Sequence, residues 1–522
     1  MRNVAFVLPN SLGAYGSANL VVEHLGIALL SSVLTQNNIL NKIIDARMYN
    51  LSPEQASENI DIYDMIGLTI PLGESEAVPW TIEFVERCKK INPKVHLIAG
   101  GYLPTILPEI VFEYIPDIEL IVLGEGEETI IEIITAYKNG TSIESIPGIV
   151  YRKKNSIIKN QPRSLIMNLN SNPLPYRYAK DFANEEFEAH IEGARGCMNN
   201  CIFCVIKPFF CNNKTQWRAR SAESLIREVK YIEKAYPASK RIRFVDPDFI
   251  GDPDQKKERI LEFCKLLKSN RLLKYSFFFE SRVHNITNKT IDMLRLMKET
   301  GFVEVYLGLE SGSDSILKIM NKQATVQDSI NAINILKEVG IDIAYGFMMF
   351  TPWTNMDDVK KNIEFLAKIG DVQFDRLFHK LYLIPKTPST KMAERKKLLR
   401  GMNADGYYDY DFEHNDVAVL ASVRDYLRKH HLDFLVEIWY AYKDAKTWGQ
   451  AFPNKARNLL EGLSLLSLDI FADLCKVIDY IDMNIENKNS YIDSIIKQRY
   501  PEIKLLHQKT NYNYRFPRPK SN

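Results

Sequence analysis

The sequence predicts a multidomain α/β protein: a doubly wound parallel sheet, then a partial barrel of strand–helix units, then a helical C-terminal domain. Three observations support this prediction. The chain has 522 residues, which is enough for roughly three domains of ordinary size. Strand and helix patterns alternate up to about residue 390, which is typical of parallel sheets covered by helices. Beyond that point only helical periodicity is found.

Composition and charge exclude several classes of protein. The chain is 46% hydrophobic and 25% charged, which is ordinary globular usage. Its formal net charge of +2 gives no general electrostatic reason to bind nucleic acid or an anionic membrane. No stretch approaches the about 20 apolar residues that span a bilayer. Seven cysteines are too few for a disulfide scaffold. We therefore expect a cytoplasmic protein with neither a membrane nor a nucleic-acid partner.

The first domain, residues 1–140, is predicted to be a Rossmann-like sheet. Because the ligand crevice of such a sheet lies beyond the carboxyl ends of its strands, the loops at those ends are informative. Four of them contain glycine, and the absence of GxGxxG after the first strand argues against a dinucleotide. We expect a broad, flat ligand. Strands are predicted at 3–8, 42–45, 65–70, 94–99 and 118–123, a helix at 78–90, and loop glycines at Gly13, Gly16, Gly73, Gly100, Gly101, Gly124 and Gly126.

Three further regions follow. Residues 141–187 are predicted to be a linker with a small hairpin at 146–152 and 156–158, and residues 391–522 a helical domain with a mobile basic tail from His507. Between them, residues 188–390 repeat a strand–helix unit six times and predict a partial (β/α)6 barrel of the TIM type, in which chemistry gathers at the C-terminal strand ends. The six strands are predicted at 190–194, 241–245, 275–279, 303–309, 343–350 and 376–384.

A cysteine cluster follows the first barrel strand. Cys197, Cys201 and Cys204 are spaced by four and three residues, and a loop of that kind can wrap around a metal centre. A structural zinc site prefers four ligands, commonly as two cysteine pairs, and the chain has no second pair. Cys211 stays open as a fourth ligand, and zinc and a chance cluster of buried cysteines stay open as alternatives. Three cysteines on a four-iron cluster would leave one iron free to bind a substrate or cosubstrate.

This CxxxCxxC motif after the first strand of a six-stranded barrel resembles the radical S-adenosylmethionine (SAM) superfamily. The resemblance implies a 4Fe–4S cluster on the three cysteines, SAM on the open iron and a 5′-deoxyadenosyl radical formed on reduction, with a reductant such as flavodoxin or ferredoxin. One segment, 350–353, departs from the family's glycine–proline turn and has no assigned role. The resemblance implies SAM contacts at Phe203, Asp246, Ser281, Arg282 and Glu310.

Joined to such a barrel, the first domain resembles the cobalamin-binding module of the cobalamin-dependent radical SAM class. Segments 100–105, 124–128 and 146–152 bear the resemblance. The DxHxxG motif is absent, and residues 45–50 contain no histidine, so we expect no protein side chain on cobalt. A degenerate domain without cofactor is the alternative. The implied cobalamin contacts are Leu72, Gly73, Glu74, Gly100, Gly101, Tyr102, Pro104, Thr105, Gly124, Glu125, Gly126 and Glu127.

The resemblance implies a methyltransferase that uses methylcobalamin and the 5′-deoxyadenosyl radical to methylate an unactivated carbon. The motifs identify the cofactors and not the fate of the substrate radical, so a cyclase or ring-rearranging enzyme without methyl transfer is the first alternative. A cobalamin-binding sensor or interaction protein with a vestigial barrel is the second. A methylthiotransferase is disfavoured because only Cys88 precedes the cluster, whereas such an enzyme should have a further cysteine trio in its N-terminal domain.

The sequence does not identify the substrate, and a small molecule or a peptide natural-product intermediate fits the class. Aromatic residues are concentrated in one part of the C-terminal domain. They would contact substrate if this domain caps the barrel, and a packed helical core explains them equally well. They are Trp439, Tyr440, Tyr442, Trp448 and Phe452.

Overall fold

A computed structural model describes residues 3–11, 22–154, 156–184, 187–209, 217–370, 372–431, 434–435, 438, 453–477 and 485–508. Cys211, the loop glycines Gly13 and Gly16 and the aromatic group between Trp439 and Phe452 lie outside these residues. No helix in the described residues is long and apolar enough to cross a membrane.

The first domain is built on a seven-stranded sheet in the order β2-β1-β3-β4-β5-β6-β7. The first five strands are parallel, as predicted, with β1 between β2 and β3. Apolar cores cover both faces of the sheet. The strands are β1 Asn3–Leu8, β2 Leu40–Asp45, β3 Met65–Thr69, β4 His96–Gly100, β5 Leu120–Val122, β6 Ile149–Lys153 and β7 Ser156–Lys159. The helices are Leu25–Gln36, Pro53–Ala56, Ala77–Ile91, Tyr102–Ile106, Pro108–Tyr114 and Glu127–Asn139.

The predicted hairpin of the linker continues this sheet. Strand β6 pairs antiparallel with β5, and β7 pairs antiparallel with β6. Ile149 and Val150 are buried because they extend the apolar faces of the sheet. The hairpin therefore belongs to the first domain rather than to a free connector.

The second domain is a curved parallel sheet in the order β14-β13-β12-β11-β8. A short antiparallel pair, β9 with β10, leads into and out of the cysteine loop. The strands are β8 Glu188–Ile191, β9 Ala194–Arg195, β10 Arg218–Ala219, β11 Arg241–Phe244, β12 Ser276–Ser281, β13 Phe302–Glu310 and β14 Asp342–Phe347. The helices of at least eight residues are Ala222–Ala235, Pro253–Ser269, Ile291–Glu299, Val326–Val339 and Met356–Ile369, and the short ones are Ile206–Phe209 and Asp314–Ile319.

The prediction of a sixth barrel strand at 376–384 is wrong, because these residues do not form a full strand. A 3₁₀ helix covers Phe374–Phe378, and the pairings described at the predicted position are two isolated bridges, a parallel one between Phe350 and Lys380 and an antiparallel one between Leu383 and Tyr408. The reason is packing: the ring of Phe378 lies 4.9 Å from that of Phe471 in a C-terminal helix. This apolar run therefore contacts the C-terminal domain instead of pairing along its length with β14.

The C-terminal region contains a hairpin that the sequence interpretation missed. Strands β15 Leu399–Met402 and β16 Tyr408–Tyr410 pair antiparallel. The side chain of Asn403 accepts hydrogen bonds from the backbone of Asp405 and Tyr407, and Gly406 has a φ of +82°, which is a turn conformation favoured by glycine. The helices are Pro388–Arg395, Asn415–His430, Pro453–Cys475 and Ile485–Gln508, so the predicted tail overlaps the end of the last helix.

Candidate active site

The cysteine loop begins after β9 and is held by backbone contacts on two sides. The amide of Ile202 donates to the carbonyl of Met320 at 3.1 Å, and its carbonyl accepts from the amide of Ser389 at 3.0 Å. The amide side chain of Asn321 donates to the carbonyl of Asn200 at 2.9 Å. These contacts hold the three cysteines at the C-terminal end of the barrel.

The three thiols share one electrostatic environment. Burial raises the pKa of Cys197 to about 11 and that of Cys204 to about 12, and a charge on Cys201 adds to both shifts. Within the described residues, no three His, Cys, Asp or Glu side chains converge closely enough to hold a single metal ion. Three cysteine ligands are fewer than the four that a structural zinc site prefers, and they would leave one iron of a four-iron cluster open. The residues therefore fit a cluster better than zinc.

Arg282, predicted to contact SAM, is held in a network beneath the cysteine loop. Its Nε donates to Asp248 at 2.6 Å, and its Nη1 donates to the side chain of Asn199 at 3.0 Å, inside the cysteine motif. Its Nη2 donates to the carbonyl of Gly251 and to Asn285, both at 2.9 Å. The guanidinium therefore positions the loop, and direct contact with SAM stays a prediction. Ser281, at the end of β12, is buried and accepts from Asn285 at 3.2 Å.

Asp246 lies behind the first barrel strand and is completely buried. Its Oδ1 accepts from the amide of Gly193 at 2.7 Å, and no partner is recorded for Oδ2 in the described part of the chain. A Cβ on Gly193 would lie 2.9 Å from that oxygen. The carboxyl group thus fixes the turn that leads into the cysteine motif, and its predicted contact with SAM is untested.

The burial of Asp246 has a consequence for stability. Burial raises its pKa to about 8, so the folded state holds a proton that the unfolded state releases at lower pH. Stability should fall as the pH rises from about 4 towards 8. We expect Asp246→Asn to flatten this loss, measured as the urea midpoint of the cofactor-free protein at pH 5.5 and 8.5. Asp292→Asn, at an exposed helix position, is the control. If the urea midpoint changed equally between the two pH values in the wild type and in both variants, this interpretation would be contradicted.

Glu310, predicted to bind the SAM ribose, ends β13 beside two glycines. It forms an ion pair of 2.9 Å with Lys322. A Cβ on Gly308 would lie 2.4 Å from Glu310 Oε1, and Gly346 pairs with Gly308 on the neighbouring strand. The glycines leave room on this side of the barrel, and Lys322 contacts one of the two oxygens of the Glu310 carboxylate. On the same side, Phe203 packs in a small core with Met320 and Trp353.

The sequence interpretation placed Glu280 at a barrel strand end beside Ser281 and Arg282 but did not assign it a contact. Phe277 and Phe279 belong to the outer core, so the alternation of β12 points Glu280 into the barrel. No hydrogen bond or ion pair is recorded for its carboxylate within the described residues. Burial raises its pKa to about 7, and Arg243 opposes the shift. An acidic residue in an otherwise aromatic strand was the available signal.

The cobalamin loops of the first domain face this end of the barrel. Gly101 has a φ of +91°, and a Cβ there would lie 2.7 Å from the hydroxyl of Thr69. The hydroxyl of Thr105 accepts from the amide of Gly124 at 3.1 Å, which joins two of the predicted loops. Gly101 and the bond between the two loops therefore pack them closely at the carboxyl edge of the sheet, which is the edge at which a corrin would lie. Of the other predicted contacts, Gly100 ends β4, Pro104 lies in helix Tyr102–Ile106, and Gly126 directly precedes helix Glu127–Asn139.

Tyr102 connects the two domains. Its ring stacks on Phe209 with centroids 4.2 Å apart, and Phe209 lies in the helix directly after the cysteine loop. Although the residue is 40% exposed, the protein atoms around its hydroxyl raise the pKa of Tyr102, and the charges of Cys204, Glu192 and Glu280 add to the shift. The cobalamin loops, the cysteine loop and the carboxylates of Glu192 and Glu280 therefore meet in one region.

Two predicted cobalamin contacts form ion pairs with the barrel. Glu125 contacts Arg195 at 2.7 Å and Arg218 at 2.8 Å, and Glu127 contacts Arg195 at 2.6 Å. All four side chains are less than 10% exposed. We assign both carboxylates to the domain interface, and their contact with cobalamin stays a prediction. No local sequence pattern indicates this role.

The C-terminal hairpin covers the loop of Leu72, Gly73 and Glu74. The amide of Gly73 donates to the carbonyl of Asp405 at 3.0 Å, and Leu72 lies against Gly406. Glu74 accepts a hydrogen bond from Ser11, three residues after β1. All three domains therefore contribute to the walls around the predicted corrin site.

Gly73 offers a test of this contact. It has a φ of +86°, and a Cβ there would lie 2.1 Å from the Tyr407 hydroxyl. We expect Gly73→Ala to cost about 1–3 kcal/mol of stability and to weaken hydroxocobalamin binding, because the hairpin must move. Gly401→Ala in the same hairpin, where a Cβ meets nothing within 4 Å, should leave both unchanged. Denaturation and absorbance titration measure the two effects, and equal cobalamin affinities for the variants would contradict the assignment.

Comparison with known proteins identifies both domains. A family model described as the radical SAM superfamily matches residues 191–366, and one described as the B12 binding domain matches residues 13–134. The chain belongs to the cobalamin-dependent radical SAM enzymes. These two domains imply a 4Fe–4S cluster, SAM and cobalamin as its cofactors.

The relatives of this chain have names that describe different reactions. It is 28% identical over 393 residues to an uncharacterized methyltransferase, PH0819, of Pyrococcus horikoshii, and the match covers 74% of this chain and 82% of that protein. It is 25% identical to the 4′-phospho-dehydrooxetanocin synthase of Priestia megaterium over 61% of this chain and 46% of that protein. It is 25% identical to an anaerobic magnesium-protoporphyrin IX monomethyl ester cyclase of Rubrivivax gelatinosus over 60% of this chain and 56% of that protein.

Solved structures show the same fold. The cobalamin-dependent SAM radical enzyme OxsB, with aqua-cobalamin and SAM bound, matches with a TM-score of 0.80 at 20% identity, covering 98% of this chain and 82% of that one. The methyltransferase TsrM from Kitasatospora setae, with tryptophan and a SAM analogue bound, matches with a TM-score of 0.63 at 16% identity, covering 78% of this chain and 80% of that one. At these identities the likeness describes the fold alone.

Proposed function

We propose that this cobalamin-dependent radical SAM enzyme methylates an unactivated carbon of its substrate in the cytoplasm. The observation that supports the proposal best is the junction of the two domains at Tyr102 and Phe209. When bound, the cofactors supply a methyl group on cobalt and a 5′-deoxyadenosyl radical. Transfer between them requires that both approach one substrate carbon in a closed space.

The residues of this chain would close and shape that space. Glu125 and Glu127 hold the cobalamin loop against the barrel through Arg195 and Arg218, while the hairpin turn at Asp405 covers the loop of Gly73. Arg282 fixes the cysteine loop through Asn199. Such contacts would keep water away from the bound cofactors, which would protect radical intermediates. The reaction requires no side-chain general base, and we assign none.

Two relatives support a second candidate within the same class. One is named a synthase and another a cyclase, so radical cyclisation or ring rearrangement without methyl transfer is the alternative outcome. The methyl-transfer proposal is favoured by the methyltransferase PH0819, which the chain matches over more of its length than it matches either of those. The substrate would be a small molecule or a peptide intermediate.

Anaerobic reconstitution distinguishes these outcomes. The protein is loaded with iron, sulfide and hydroxocobalamin, reduced, and incubated with SAM bearing a labelled methyl group and an extract of candidate substrates. Methyl transfer predicts both 5′-deoxyadenosine and S-adenosylhomocysteine, together with a labelled product heavier by one CH₂ equivalent. Formation of 5′-deoxyadenosine without S-adenosylhomocysteine would reject methyl transfer and favour the alternative. Formation of neither would favour a sensor with a vestigial barrel.

A further inference from the structure

The inside of the barrel, its lumen, has an excess of negative charge. Alternate residues of the five parallel strands belong to the apolar core under the outer helices, so the residues between them face the lumen. Below the ion pair of Glu310 with Lys322, the charged residues on this inner face of the described strands are Arg241, Arg243, Glu188, Glu280, Glu304 and Asp342. Two arginines therefore face four carboxylates, which favours a ligand with positive charge.

The two arginines of the lumen are engaged with the protein itself. Glu188 forms ion pairs with Arg243 at 2.5 Å and with Arg241 at 3.2 Å, and His190 lies 3.5 Å from the same carboxylate. Both guanidinium groups lie over the ring of Phe278, 4.2 and 4.9 Å from its centroid. These five side chains form the floor of the lumen, and the positive charge of both arginines is held there.

Glu280 lies above this floor, because it is two residues beyond Phe278 along β12. It pairs in register with Tyr306 on β13. A Cβ on Gly346 would lie 2.9 Å from the Tyr306 hydroxyl, so this ring leans towards β14 and leaves space beside Glu280. Within the described residues, no hydrogen bond or ion pair is recorded for the Glu280 carboxylate, and Arg243 attracts it only at a distance. The lumen therefore presents a carboxylate that no cation of these strands contacts.

Glu280 also lies next to the region where the cofactors would meet. Two residues further along the chain, the guanidinium of Arg282 donates to Asn199 inside the cysteine motif. The charges of Glu280 and Cys204 both act on the hydroxyl of Tyr102 at the domain junction. A group bound by Glu280 would therefore hold a substrate between the cysteine loop and the cobalamin loops.

We propose that Glu280 determines substrate specificity by binding a cationic nitrogen of the substrate, an ammonium or guanidinium group. The inference rests on the proposed function and names the class of molecule that the enzyme would act on. A carboxylate that is removed from water without a partner is costly, and a cation that donates hydrogen bonds to it forms a strong, charge-assisted pair. Glu280 therefore selects an amine over an alcohol or an acid of similar shape. It holds the substrate and takes no part in bond formation.

Equilibrium dialysis with three labelled probes tests the proposal. Phenethylamine, 2-phenylethanol and 3-phenylpropionate place a positive, a neutral and a negative group on the same phenylethyl skeleton, and their ring suits the aromatic surfaces of Phe278 and Tyr306. The probes are dialysed against the reconstituted full-length protein with SAM and without reductant. We expect the wild type to bind phenethylamine about 10-fold or more tightly than either of the other two.

Three variants show whether Glu280 is the source of this preference. Glu280→Gln keeps the size of the side chain and removes its charge, so the preference for phenethylamine should disappear. Glu280→Asp keeps the charge on a shorter side chain and should retain part of the preference. The control is Glu299→Gln, at an exposed position that ends the outer helix Ile291–Glu299, and it should bind the three probes as the wild type does. Denaturation midpoints show that each variant is folded.

Three results would overturn the proposal. They are equal affinities of the wild type for phenethylamine and 2-phenylethanol, tighter binding of 3-phenylpropionate, and an unchanged preference for phenethylamine in Glu280→Gln. Failure of the proposed function is distinguishable, because probe binding involves no turnover. Reduced wild-type protein that transferred no methyl group would reject methyl transfer, while the preference for phenethylamine and its loss in Glu280→Gln would persist.

Discussion

Replacing Cys204 by alanine should abolish SAM cleavage completely. The cluster needs three thiolates, and loss of one leaves an iron without its ligand. Cys204 is also the cysteine closest along the chain to the helix that carries Phe209, so its loss removes the centre from the domain junction. The measurements are iron and sulfide content after anaerobic reconstitution, absorbance of the cluster, and 5′-deoxyadenosine formed with titanium(III) citrate.

A buried cysteine elsewhere provides the matched control. Cys88 is completely buried in the core of the first domain, far along the chain from the motif. Cys88→Ala should lower stability slightly through a small cavity while keeping the cluster and the cleavage of SAM. A Cys204→Ala protein that still binds four irons and forms 5′-deoxyadenosine would reject the assignment of the triplet, and would direct attention to Cys211.

The second large effect is expected at the domain interface. Glu125→Gln removes a charge that faces both Arg195 and Arg218 in a buried position. Removing one partner of a buried ion pair typically costs about 3–5 kcal/mol, because a charge is left uncompensated. We expect a lower denaturation midpoint and weaker cobalamin binding, since the loop of Gly124 and Gly126 loses its anchor on the barrel. Differential scanning calorimetry and absorbance titration measure these effects.

Glu128, three residues further along, is the comparison position. Its carboxylate pairs with Arg163 at 3.0 Å but is 61% exposed, and an exposed pair contributes about 0–1 kcal/mol. Glu128→Gln should therefore be nearly silent in both measurements. If the two variants lost equal stability, the buried interface would not be the source of the effect. The double variant Glu125→Gln/Arg218→Gln should regain part of the loss.

Local patterns predicted most of the fold. The five parallel strands of the first sheet and five of the six barrel strands were predicted because buried parallel strands form short apolar runs separated by amphipathic helices. The loop glycines and the spacing of the three cysteines could be singled out for the same reason, because they are local features of the sequence. Their roles as cobalamin contacts and cluster ligands stay predictions. These features depend on neighbours in the sequence.

The features that were missed depend on distant partners. Residues 376–384 resemble a strand, yet Phe378 packs on Phe471. Glu125 lies 70 residues from Arg195 and 93 from Arg218, so its sequence neighbours could not indicate the ion pairs. Its contact with cobalamin stays a prediction. The turn at Asp405 contacts the loop of Gly73 across 332 positions of sequence numbering, from 73 to 405. Tertiary packing decides such contacts, and no short pattern reports them.

The central claim is that the cysteine loop and the cobalamin loops face one cavity. Electron paramagnetic resonance of the reconstituted, reduced protein with cob(II)alamin tests it most directly. We expect the reduced cluster and cob(II)alamin to broaden each other's signals, and SAM to shift the cluster signal by binding the open iron. A spectrum equal to the sum of cluster-only and cobalamin-only samples, unchanged by SAM, would contradict the claim.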